Sequence, residues 1–84
     1  MRILIVEDEA ELCDTIAEGL ELDGYAVDRC YDGKVAHELL AVETYDLAVL
    51  DLNLPGMDGM DVLREVRKVN QELKVLILSA RGSV

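Results

Sequence analysis

Three four-residue apolar runs, each closed by a polar residue, constrain this chain more than anything else in it. Ile3-Leu4-Ile5-Val6 runs into Glu7-Asp8, Leu47-Ala48-Val49-Leu50 into Asp51, and Val75-Leu76-Ile77-Leu78 into Ser79. Runs without polar alternation are how strands buried on both faces read, and such strands belong to parallel sheets covered by helices. In a parallel sheet all carboxyl ends share one edge. Glu7, Asp8, Asp51 and Ser79 would then crowd one crevice, where open α/β sheets place their ligands. Three carboxylates and a hydroxyl, with no cofactor loop among them, point to a divalent cation and a phosphoryl group.

The rest of the chain fills in strand-helix alternation. The pattern predicts strands over Arg2 to Val6, Ala26 to Cys30, Leu47 to Leu50 and Val75 to Leu78, with Val27 the clearest buried residue of the second. It predicts helices over Ala10 to Leu22, Gly33 to Val42 and Gly59 to Val69. Leu12, Cys13, Ile16, Ala17 and Leu20 make the apolar stripe of the first helix, Val35, Ala36, Leu39 and Leu40 that of the second, and Val62, Leu63, Val66 and Val69 that of the third. Asp32 and Asp58 are natural N-caps, and Gly24 a left-handed stop. Alternating elements give an α/β fold with a parallel sheet. The second strand is weak and belongs at an edge, and right-handed crossovers fix the faces. The expected sheet has four strands in the order 2-1-3-4, with helix one on one face and helices two and three on the other. Asp8 and Asp51 then flank the point where the chain reverses direction between strands one and three.

Two unit charges ~5 Å apart repel by roughly 3 kcal/mol at an effective dielectric near 20. Three clustered acids without a cation should therefore hold at least one pKa upward. An all-oxygen donor set suits Mg²⁺, with Mn²⁺ or Ca²⁺ as substitutes. A carboxylate beside that ion attacks phosphorus without a general base, because it is already ionised. The plain alternative is that strand ends carry Asp or Ser because they enter turns. Two other motifs compete. Asp51-Leu52-Asn53-Leu54-Pro55-Gly56 begins like an EF-hand loop but has Pro55 and Val62 where that loop needs ligands. An Asp-x-Asp phosphatase would need an acid at Asn53, and an amide shuttles no proton.

Composition narrows the class further. With 84 residues and 51% apolar content the chain supports one small aliphatic core, since Trp and Phe are absent. Its net charge of −10 disfavours binding to nucleic acid or anionic lipid. Cys13 and Cys30 match no metal or redox spacing and read as reduced cytosolic thiols packed as small hydrophobes. The N-terminus has no signal-peptide pattern, and no apolar run approaches the ~20 residues that span a bilayer. His37 lies off its helix's apolar stripe and reads as a solvated side chain.

Ile3 to Glu9, Tyr45 to Gly59 and Val75 to Arg81 together resemble the receiver domain of bacterial two-component response regulators. The wording Leu54-Pro55-Gly56-Met57-Asp58-Gly59, then Ser79-Ala80-Arg81, is most similar to the OmpR/PhoB subfamily of transcriptional regulators. The resemblance implies a flavodoxin-like fold, a cytoplasmic location and a cognate histidine kinase as partner. Asp51 would accept the phosphoryl group. Asp8 would bind Mg²⁺ directly, Asn53 through its backbone carbonyl, and Glu7 as the second acidic position, with water as an intermediary. Ser79 would be the switch hydroxyl, with Ala80 leaving it room, and Pro55 and Gly56 would shape the adjoining loop.

A complete receiver continues with a helix, a strand and a helix, and a lysine that pairs with the phosphoryl group ends that strand. Residues 1–84 are thus expected to be a receiver domain lacking these last elements, for Lys34, Lys68 and Lys74 are its only lysines and none ends a strand at the site. Two consequences are expected: homo-oligomerisation through the fourth strand and the uncovered sheet face, and phosphorylation that is slow or short-lived. Competing readings are a Mg²⁺-dependent aspartyl phosphohydrolase and an interaction module that takes no phosphate.

Overall fold

The computed structural model describes residues 1–78, so the expectation for Ser79 lies outside the described residues. Seven elements follow in order: β1 (Arg2–Val6), α1 (Ala10–Leu22), β2 (Ala26–Cys30), α2 (Gly33–Val42), β3 (Leu47–Leu50), α3 (Gly59–Val69) and β4 (Lys74–Ile77). The four strands form one sheet in the order β2-β1-β3-β4, every pairing parallel. Val6 lies opposite Cys30 on one side and Leu50 on the other, so β1, β2 and β3 end level.

Helix ends are fixed by local chemistry. Asp32 accepts from Val35 N–H at 2.9 Å and Asp58 from Met60 N–H at 2.8 Å, satisfying donors that the first turns of α2 and α3 leave unpaired. α1 stops where Gly24 takes φ +94°, with Gly24 N–H donating to Glu21 and Tyr25 N–H to Leu20. These two bonds satisfy the last carbonyls of α1, and a side chain would strain that left-handed position. At the other end of α3, Asn70 Oδ1 accepts from the N–H groups of Glu72 and Leu73, folding the turn into β4.

Two cores lie on opposite faces of the sheet. Ile3, Ile5 and Val49 pack on Cys13 and Ala17 of α1. Leu4, Val6, Ala48 and Leu50 pack on Ala36 of α2 and on Val62 and Val66 of α3. Alternate residues of β1 thus feed both cores, as expected of a doubly covered strand. Fully burying each Leu, Ile or Val contributes about 1.5–3 kcal/mol.

Packing departs from the sequence pattern at the periphery. Val27 is only half-buried although it packs against the α1 core, because β2 is an edge strand, and Cys30, on the face covered by α2 and α3, is its buried residue. Leu12, Val35 and Val69 are exposed, lying at the margins of their stripes. β4 begins and ends one residue earlier than its apolar run, because Lys74 pairs opposite Leu47. It is not buried on both faces: among the described residues it pairs with β3 alone, and Leu76 is 55% exposed.

Candidate metal centre

The ladder continues one residue past the strands and places two acids side by side. Asp51 N–H donates to Val6 O at 2.9 Å, and Glu7 N–H donates to Cys30 O at 2.9 Å. Glu7 and Asp51 therefore leave adjacent strands at the same level, and both are buried, at 4% and 7% exposure. Asp8, one residue on, is exposed at the rim. One carboxylate oxygen from each of Glu7, Asp8 and Asp51 lies within 4.8 Å of the other two.

The cluster is electrostatically costly by itself. Burial pushes the Glu7 carboxyl up to about 7, and its hydrogen bonds with Asp8 and Asp51 and the Asp51 charge push the same way. The N–H of Glu9, donating to Glu7 Oε2 at 2.8 Å, opposes the shift by favouring the anion. The direction is the one expected of clustered acids, with burial rather than mutual repulsion as the leading cause. Oxygens ~2.1 Å from a shared Mg²⁺ stand about 3 to 4 Å apart, so these carboxylates fit the ion after a small contraction.

Asn53 donates its backbone N–H to Asp51 Oδ1 at 3.1 Å, which holds the acid's rotamer and turns the chain tightly after β3. The structure thus brings Glu7, Asp8 and Asp51 together and seats Asn53 against Asp51. Sequence reasoning gave Asp32 only a capping role and Gly33 only a helix start. Both also meet the loop that follows Asp51: Gly33 N–H donates to Pro55 O at 3.0 Å, and the Asp32 carboxylate faces Gly56. The adjacent pair Asp32-Gly33 was the one available signal, and it reads equally well as a simple helix start.

Comparison with known proteins agrees with this geometry. Residues 3–84 match the response regulator receiver domain family. The transcriptional regulatory protein TctD of Salmonella typhimurium is 49% identical over all 84 residues, which span 38% of its length. The response regulator TrrA of Thermotoga maritima, solved with Mg²⁺-BeF, superposes with a TM-score of 0.87 at 32% identity, covering 98% of this chain and 73% of that one. TrrA in complex with the histidine kinase ThkA superposes at 0.86 with 35% identity, over 94% and 68% of the two chains. The buried acid pair just past the ends of β1 and β3, the 2-1-3-4 sheet and these likenesses converge on one assignment: the chain belongs to the response regulator receiver domain family.

Proposed function

We propose that Asp51 is a phosphoacceptor that takes a phosphoryl group from a phosphohistidine of a cognate histidine kinase. The observation that carries this reading is the convergence of Glu7, Asp8 and Asp51, oxygens within 4.8 Å of one another, at the carboxyl edge of the sheet. An Asp51 carboxylate oxygen forms the new O–P bond as the N–P bond of the donor breaks and the imidazole leaves. Asn53 N–H, held on Asp51 Oδ1, leaves the other oxygen as the nucleophile. Asp8 and Asp51 carboxylates and the Asn53 carbonyl are the proposed ligands of Mg²⁺ or Mn²⁺, with Glu7 acting through water. The ion, when bound, offsets the charge on the phosphoryl oxygens. Ser79 is the proposed switch hydroxyl.

The ThkA–TrrA complex supports a histidine kinase as partner, and TctD supports a parent protein that regulates transcription. The chain spans 38% of TctD, so control of transcription is proposed for that parent. A cytoplasmic location fits a chain in which, among the described residues, no helix is long and apolar enough to cross a membrane. Self-association through β4 is the remaining proposal, supported by the exposed Leu76 and Ile77 on a strand that, among the described residues, pairs with β3 alone. Sedimentation of the 84-residue chain at micromolar concentration is expected to show a concentration-dependent oligomer, and a clean monomer would rule it out.

Incubation with Mg²⁺ and acetyl phosphate tests the main reading. The expected result is uptake of at most one phosphoryl group per chain, absent in Asp51→Asn. Repeated turnover of a phosphoester would instead favour a phosphohydrolase, and failure to take up either phosphate or beryllofluoride an interaction module.

A further inference from the structure

The loop after Asp51 is gripped by the first turn of α2, and the grip depends on missing side chains. Gly33 N–H donates to Pro55 O at 3.0 Å, and the same carbonyl accepts from Met57 N–H at 2.9 Å. A Cβ on Gly33 would lie 1.7 Å from Met57 O and 2.7 Å from its carbonyl carbon. Those are backbone atoms, so no rotamer change makes room and the loop itself must move by well over an ångström. Across the same seam, Gly56 at φ +81° faces the Asp32 carboxylate, and a Cβ there would stand 3.0 Å from both of its oxygens. Leu54 and Met57 pack against the core from the other side. The loop is therefore wedged between the core and the start of α2.

We propose that Gly33 is a positioning residue of the phosphoacceptor site, acting through the loop that it seats. This rests on the phosphoacceptor reading of Asp51. Pro55 is two residues from Asn53, whose N–H holds Asp51 Oδ1 and whose carbonyl is the proposed metal ligand. A loop lifted off α2 at Met57 carries Asn53 with it. Supporting groups one layer behind a metal site typically change affinity by about 10–100-fold, and an ångström of misplacement has effects of that order on rate.

The test compares wild type, Gly33→Ala and Gly19→Ala. Gly19 lies in α1 with nothing within 4 Å of an added Cβ, so its variant controls for helix propensity. Three readouts are taken: amide NMR shifts of residues 52–58 without metal, Mg²⁺ affinity of the folded protein, and phosphorylation by acetyl phosphate. Gly33→Ala is expected to shift the loop amides, weaken Mg²⁺ about tenfold or more and slow phosphorylation, while Gly19→Ala leaves all three unchanged. A general loss of stability would not lower the affinity of the folded fraction.

If Gly33→Ala does not fold, Gly56→Ala probes the same seam, since Asp32 can swing aside. It should weaken Mg²⁺, and adding Asp32→Ser, which keeps a helix cap and removes the facing carboxylate, should restore part of the affinity. Wild-type affinity and phosphorylation in folded Gly33→Ala, or in Gly56→Ala, overturn the seat alone. Absence of phosphoryl uptake by the wild type overturns the phosphoacceptor reading, and the proposal with it.

Discussion

Glu7 and Asp51 stand side by side because the N–H of Asp51 donates to the carbonyl of Val6, 2.9 Å away across the β1–β3 pairing. That backbone bond fixes the two buried carboxylates next to each other. Repulsion and desolvation then make the site receptive to a cation and to proton uptake.

Glu7 should give metal-free stability a distinctive pH dependence. Its folded pKa of about 7 lies above its ordinary 4.5, so between these values the folded state binds more protons than the unfolded state. Stability from this group falls as pH rises from 4.5 to 7 and is level above, by up to about 3 kcal/mol. Urea melts of wild type and Glu7→Gln across pH 4 to 8 check this: the difference between them should carry the slope. Mg²⁺ binding near pH 7 should release protons in wild type and fewer in Glu7→Gln.

The opposite end of the sheet carries an independent brace. Tyr45 donates its hydroxyl to Asp28 Oδ2 at 2.7 Å, while Arg2 pairs with Asp28 and sits 4.8 Å from the Tyr45 ring centre. The Tyr45 hydroxyl, then the Arg2 guanidinium, hold Asp28 below the usual carboxylate range. Tyr45→Phe should cost about 1 kcal/mol in urea unfolding, less than the roughly 1.5–3 kcal/mol typical of a hydrogen bond to a charged group because the carboxylate is partly solvated. The loss should shrink as pH falls through the pKa of Asp28, and Mg²⁺ affinity should not change.

The thiols should be silent in the folded chain. Cys13 and Cys30 are buried on opposite faces of the sheet, and burial pushes both thiols up. Disulfide-exchange reagents should label them only at the rate of global or local opening, so urea should accelerate labelling steeply. Rapid labelling in native buffer would show that one of these core faces opens freely.

Much of this was legible because hydrophobic pattern and topology are strongly coupled here. Unbroken runs marked β1 and β3 as doubly covered, and the Asp caps of α2 and α3 and the Gly24 stop fixed helix ends. The convergence of Glu7, Asp8 and Asp51 followed from strand direction alone. Burial at the margins was not legible: Leu12, Val35 and Val27 satisfy a periodic pattern that says nothing of where a helix or sheet ends laterally. The edge position of β4 was legible only through the 2-1-3-4 order, since an apolar run by itself specifies a strand but not how many neighbours it has. The seat of Pro55 and Met57 on Gly33 was hidden because it is a contact between backbones, and the close approach leaves no mark beyond a glycine.

The central claim is that Asp8 and Asp51 serve one cation. A Mg²⁺ titration followed by amide NMR, on wild type, Asp8→Asn and Asp51→Asn, measures this directly. A single saturable site is expected, shifting the signals of residues 7, 8, 51 and 53 together, and losing about tenfold or more in affinity with either substitution. Signals that move independently, or an Asp8→Asn protein that binds Mg²⁺ as tightly as wild type, would contradict it.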